Sequence, residues 1–117
     1  MPDNETITTK PIKQKTISLS RIEALKGIVY LKWGITSPTE LSLLNELILM
    51  TEATINIDHH VRNRIAKQTS IPLANISTAI GRLHKAGCVM KEGKTVYLHP
   101  VFKGWGEVNQ VLFKIQE

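Results

Sequence analysis

The chain has 117 residues, 42% of them hydrophobic, and a formal net charge of +5 from 15 Lys and Arg against 10 Asp and Glu. That length supports one domain that buries roughly two-thirds of its surface, and it excludes two full domains and most large enzyme architectures. The pI near 9.5 points to an acidic partner, with nucleic acid ahead of an anionic membrane surface. Cys88 is the single cysteine, so neither an intrachain disulfide nor a Cys-rich zinc site can form, and a reducing, cytoplasmic setting fits best. The longest apolar-leaning stretch, residues 41–50, is too short for a bilayer span and is interrupted by Asn45 and Glu46, so no membrane partner is expected. Residues 1–15 are polar and carry acids, unlike a signal or transit peptide.

Residues 1–18 are rich in Thr and Lys and poor in apolar side chains, which predicts a flexible N-terminal arm. Its Lys10, Lys13 and Lys15 either touch phosphate or are simply solvated. A first helix is expected from Ser20, which has capping-box spacing to Glu23, with Ile22, Leu25, Val29 and Trp33 on one face and Gly34 as the stop. Ser37-Pro38-Thr39-Glu40 supplies an N-cap, a proline at the first helical position and a capping-box Glu for a second helix. That helix is apolar around so much of its circumference that it belongs at the centre of the core.

Residues 54–57 alternate and are β-branched, the pattern of a short strand. Asp58 then caps a helix through about Gln68, with Val61, Ile65 and Ala66 inward. After a short turn, Pro72 opens a helix to about Ala86, with Ile76, Ala79, Ile80 and Leu83 inward and Gly87 at its left-handed end. Residues 88–91 and 95–98 flank the loop Glu92-Gly93-Lys94 as a β-hairpin. Val108, Val111, Leu112 and Ile115 follow i, i+3, i+4, i+7, so residues 105–117 are expected to form a C-terminal amphipathic helix. Helix, strand, helix, turn, helix, hairpin is the order of a winged helix-turn-helix. The fold expected is mainly α with a small β-hairpin (α+β), a winged-helix domain over residues 19–104 with extra N- and C-terminal helices.

Between residues 59 and 104 there are eight basic residues and one acid, Glu92, a net of +7, while the flanking segments are each slightly acidic. Nearly acid-free stretches of this length favour a polyanion over a merely solvated face, which is usually mixed in sign. With Ile76 set toward the core, Ala74, Ser77, Thr78, Gly81, Arg82 and Lys85 point outward at about 100° per residue. In a helix-turn-helix that face enters the major groove. Ser77 and Thr78 suit bases or phosphates. Asn75, at the border of the face, either reads adenine or satisfies the turn. Arg62, Arg64 and Lys67 are better suited to phosphates, and Lys91 and Lys94 flank the hairpin tip. The candidate DNA-binding set is therefore Arg62, Arg64, Lys67, Asn75, Ser77, Thr78, Arg82, Lys85, Lys91 and Lys94. The adjacent His59 and His60 are expected to diverge on a helix, so no metal ligand, cofactor or catalytic residue is assigned, and no nucleophile elbow or phosphate-binding loop occurs.

From residue 55 to residue 115 the chain resembles winged-helix proteins of the plasmid replication RepL type and related phage regulators. The resemblance rests on Arg62 and Ile65-Ala66, then Ile76, Ala79-Ile80 and Leu83, then Lys85-Ala86-Gly87 before the hairpin. After the hairpin it continues with Tyr97, Pro100, Phe102, Lys103-Gly104 and Trp105-Gly106. It implies a protein that binds double-stranded DNA at an origin or operator, as a replication factor or transcription regulator of a phage or mobile element. Relatives often carry Lys or Arg on the outward helix face where this chain has Leu73, Ala74, Thr78 and Gly81, which implies binding dominated by phosphates. The alternative expectation is a winged-helix protein-interaction or structural module, for example in a phage assembly. The apolar flanking segments are then free to form a homodimer.

Overall fold

The computed structural model describes residues 14–116, a mixed α+β fold with two small antiparallel sheets. At its centre lies α2 (Pro38–Leu49), where Leu43, Leu44, Leu47 and Ile48 are all buried. Pro38 opens this helix as expected, but the Ser37 side chain makes no cap hydrogen bond. The capping box expected at Glu40 is not formed, because its carboxylate is drawn instead to the Arg82 guanidinium, 3.4 Å away.

Before it runs α1 (Arg21–Trp33), whose capping box is complete: Ser20 Oγ accepts from the Glu23 amide at 3.2 Å, and Glu23 Oε1 accepts from the Ser20 amide at 3.4 Å. Gly34 ends the helix at φ 67°. Ala24, Leu25 and Val29 face the core, whereas Ile22, Tyr30 and Leu31 are exposed.

Strand β2 (Thr54–Asn56) leads into α3 (His59–Thr69). Asp58 Oδ1 accepts from the Val61 amide at 2.9 Å, and this bond to the charged form holds the carboxyl below the usual aspartate range. Ser70 turns the chain in the left-handed region at φ 62°, and α4 (Leu73–Ala86) follows with Ile76, Ala79, Ile80 and Leu83 buried. Gly87, at φ 91°, closes it. Strands β3 (Val89–Glu92) and β4 (Thr95–Leu98) form a hairpin, and β4 lies between β3 and β2 in a three-stranded sheet. The loop is only two residues long, with Gly93 at φ 57° in its first position, where a tight hairpin turn takes glycine.

Beyond the hairpin, two short 3-10 turns, Pro100–Phe102 and Trp105–Glu107, fold the chain back over α1 and α2. Phe102 stacks edge-on against Trp105 at 5.2 Å, and Trp33 approaches Phe102 at 5.9 Å. Gly106 is required here, since a Cβ would collide with the Ile48 carbonyl oxygen.

Two expectations are corrected at the ends of the chain. Residues 110–116 form a strand, β5 (Gln110–Gln116), not part of an amphipathic helix. Val111 is 8% exposed and its neighbour Leu112 is 66% exposed. Burial therefore alternates with the period of a strand, which the i, i+3, i+4 spacing of the same residues mimics. The partner that settles the choice is β1 (Gln14–Ser20), which pairs antiparallel with β5 along its whole length. Residues 14–18 are thus part of a ribbon, not of a flexible arm, while residues 1–13 of the expected arm lie outside the described residues. Among the described residues no helix is long and apolar enough to cross a membrane.

Candidate nucleic-acid interface

Helix periodicity decides where the cations of α3 go. Arg62 and Arg64 are two residues apart, about 200° around the helix, so they leave it on opposite sides. Arg64 turns toward α2, where its Nε lies 3.3 Å from Glu46 Oε2. Arg62 turns toward α4, where its Nη1 donates to Ser77 Oγ at 2.7 Å. Lys67 is exposed in the last turn. On α4, Arg82 is committed to Glu40, and Ser77 to Arg62. Between these two flanks Ala74, Thr78 and Lys85 form an exposed strip, with Asn75 exposed at its edge. The Asn75 amide donates to the Pro72 carbonyl at 2.8 Å, so its backbone serves the turn. Gly81 opens a shallow place in the strip, with nothing within 4 Å of the position a Cβ would take.

The hairpin completes one side of this surface. Strand alternation puts Lys91 on the same sheet face as its partner Val96, and Glu92 on the other face with Met90 and Tyr97. Glu92 accepts a hydrogen bond from the Tyr97 hydroxyl at 3.2 Å, and this contact with a carboxylate raises the Tyr97 pKa above its ordinary value. The one acid of the basic segment is therefore turned away. Lys91, Gly93 and Lys94 line a cleft of about 140 Å³ together with Arg62 and Ser77, walled by Ile57, Ile80 and Val96. The Ile57 amide donates to the Lys94 carbonyl at 2.7 Å and fixes the hairpin turn to the exit of β2.

No family model, no curated protein and no solved structure matches the chain.

Of the ten residues expected to form the interface, four converge on the cleft: Arg62, Ser77, Lys91 and Lys94. Asn75, Thr78 and Lys85 lie along the outward side of α4, and Lys67 stands on α3. Arg64 and Arg82 are held by carboxylates of α2. Sequence reasoning missed both pairings, because Glu40 read as a helix cap and Glu46 as a polar break in an apolar stretch. It also missed Gly93, whose backbone lines the cleft, and the register: the expected three-residue loop pairs Lys91 with Thr95, whereas the two-residue turn pairs it with Val96.

The histidines are placed differently from expectation. His59 and His60 do not diverge; their ring centroids lie 4.1 Å apart. Among the described residues no three His, Cys, Asp or Glu side chains come together as a metal site. Cys88 is buried just before β3, and desolvation pushes its thiol up to about 12, leaving a protonated, unreactive sulfur.

Proposed function

We propose that the chain is a winged helix-turn-helix protein that binds duplex DNA, as a replication-associated factor or transcriptional regulator of a phage or mobile element. On this reading it is a cytoplasmic binding protein, not an enzyme. The element order α2–β2–α3–α4–β3–β4 and the sheet order β2-β4-β3 support the winged-helix reading. The observation that carries DNA binding is the surface on which the exposed strip of α4 adjoins a cleft bearing Arg62, Lys91 and Lys94 and no acid. A helix of this width enters a major groove, while cations beside it meet the phosphates. The central strip itself offers Ala74, Thr78 and Gly81, which supports contact dominated by phosphates with little base readout.

Fluorescence anisotropy with labelled random duplex at low salt tests this. Binding is expected, and K91E/K94E should weaken it for all sequences alike. No binding to any duplex at about 50 mM salt overturns the proposal. Selection from a random duplex library should return weak enrichment.

A second reading, a protein-interaction module, is favoured by a different surface. Ile22, Tyr30 and Leu31 are exposed on α1, and a groove of about 590 Å³ between α1 and α2 is lined by Ile22, Tyr30, Ile35, Pro38 and Leu41. Light scattering at micromolar concentration separates the cases, because a strict monomer removes a homodimer built on that face.

A further inference from the structure

The cleft between α3, α4 and the hairpin has properties that a generally basic surface lacks. Three arginines leave α3 and α4 in the described structure, and two of them meet a carboxylate: Arg64 with Glu46, Arg82 with Glu40. Arg62 has no carboxylate partner among the described residues, although it is half-buried. Its fixed neighbour is a hydroxyl, Ser77 Oγ at 2.7 Å. Because that oxygen accepts from the guanidinium, the Ser77 O–H is left to donate outward. Lys91 and Lys94 close the far side, and the hairpin register keeps Glu92 on the other face. Gly93 carries no side chain into the cleft, and nothing lies within 4 Å of where its Cβ would be. The apolar walls Ile57, Ile80 and Val96 reduce screening by water, so an anion seated there interacts more strongly than one on an open surface.

We propose that this cleft is a clamp for a single phosphate of the DNA backbone, which ties the hairpin to α4 across one bound anion. The inference rests on the DNA-binding reading and narrows it to one site. At about 140 Å³ the cleft has room for a tetrahedral phosphate group. Arg62 supplies a fork of N–H donors, Ser77 an O–H donor and the two lysines point charges. The anchoring of the Lys94 carbonyl to the Ile57 amide at 2.7 Å holds the lysine-bearing turn in place before the anion arrives.

The test is an NMR titration of the ¹⁵N-labelled full chain, first with inorganic phosphate and then with a short duplex at low salt. The Gly93 amide and the Arg62 Nε–H signals should shift with both probes. Two variants accompany it. Ser77→Ala removes no charge and suits a helix, so the fold should hold; it should lose about tenfold in duplex affinity with an unchanged salt slope, as for a hydrogen bond to a charged group. Arg62→Gln should make the salt slope shallower by about 0.9, one phosphate's worth. Duplex bound with the Arg62 and Gly93 signals unmoved overturns the clamp and leaves the DNA-binding reading standing. An unchanged slope in Arg62→Gln does the same. No duplex bound at all overturns both.

Discussion

The number of cations free to meet phosphate sets how steeply DNA affinity should fall with salt. Between residues 59 and 104, Arg64 and Arg82 are occupied by Glu46 and Glu40, and Lys103 lies on the far side of α2, beside Ile48 and Glu52. Arg62, Lys67, Lys85, Lys91 and Lys94 remain. If all five neutralise a phosphate, the slope of log K against log salt is about −4.5, and affinity falls about 500-fold between about 50 and 200 mM salt. Were Arg64 and Arg82 also engaged, the slope would be about −6.3 and the fall about 6000-fold. The double variant K91A/K94A should reduce the slope by about 1.8, shrinking the fall to about 40-fold. R64A and R82A should leave the slope unchanged and lower the melting temperature instead, because each leaves a buried glutamate without its partner. Anisotropy titrations at four or five salt concentrations measure all of these. A wild-type slope near −6, or a slope change in R82A, would show that the arginines leave their glutamates for phosphate and would refute the count.

Gly81→Ala should stabilise α4 by up to about 1 kcal/mol, since the site is open and alanine is the better helix former. It should nevertheless weaken duplex binding if the backbone of DNA approaches there, and unchanged affinity would remove Gly81 from the interface. Gly106→Ala should cost about 2–3 kcal/mol and lower the melting temperature by more than about 8 °C, because its Cβ meets the Ile48 backbone oxygen, which cannot swing aside. A shift of under about 2 °C by calorimetry would contradict that contact. Cys88 should resist thiol reagents at pH 8 until the protein unfolds. Its folded pKa of about 12 lies above the ordinary value of 9.0, so the folded state retains a proton that the unfolded chain loses. The stability it contributes is full below about pH 9 and declines as pH rises toward 12. Rapid labelling of native protein would contradict this burial.

The central elements were legible because each carries local punctuation. Ser20 and Glu23 form the capping box that their spacing announces, Asp58 caps α3, and Gly87 takes the left-handed end of α4. The ends were not legible, since the β1–β5 ribbon pairs residues almost the whole chain apart. The alternation of Thr16-Ile17-Ser18-Leu19-Ser20 was a local signal for β1, but a strand so poor in apolar residues reads as a tail without its partner. In β5, Val111, Leu112 and Ile115 satisfy helical spacing and Val111, Phe113 and Ile115 satisfy strand spacing equally well. Only the distant β1 decides between them. The aromatic cluster after the hairpin was legible as a motif, but its physical role is to cover α1 and α2, with Phe102 in contact with both Trp33 and Trp105.

What no local pattern could show is how the acids of the first half divide the cations of the second. Glu40 and Glu46 are six residues apart on α2, about 240° around the helix, so each reaches a different neighbour. Glu46 meets α3 through Arg64, and Glu40 meets α4 through Arg82. The most apolar helix of the chain thereby fastens both α3 and α4 by charge as well as by leucines. The same contacts remove two arginines from the basic face. The segment of net +7 is thus a sum over two uses, structural pairing and open charge. Arg62 is the arginine that the division leaves over, half-buried beside Ser77 and the hairpin lysines. A half-buried cation without an acid is costly to keep unless an anion completes it. For that reason Arg62 bears on the proposed function more than the total charge does.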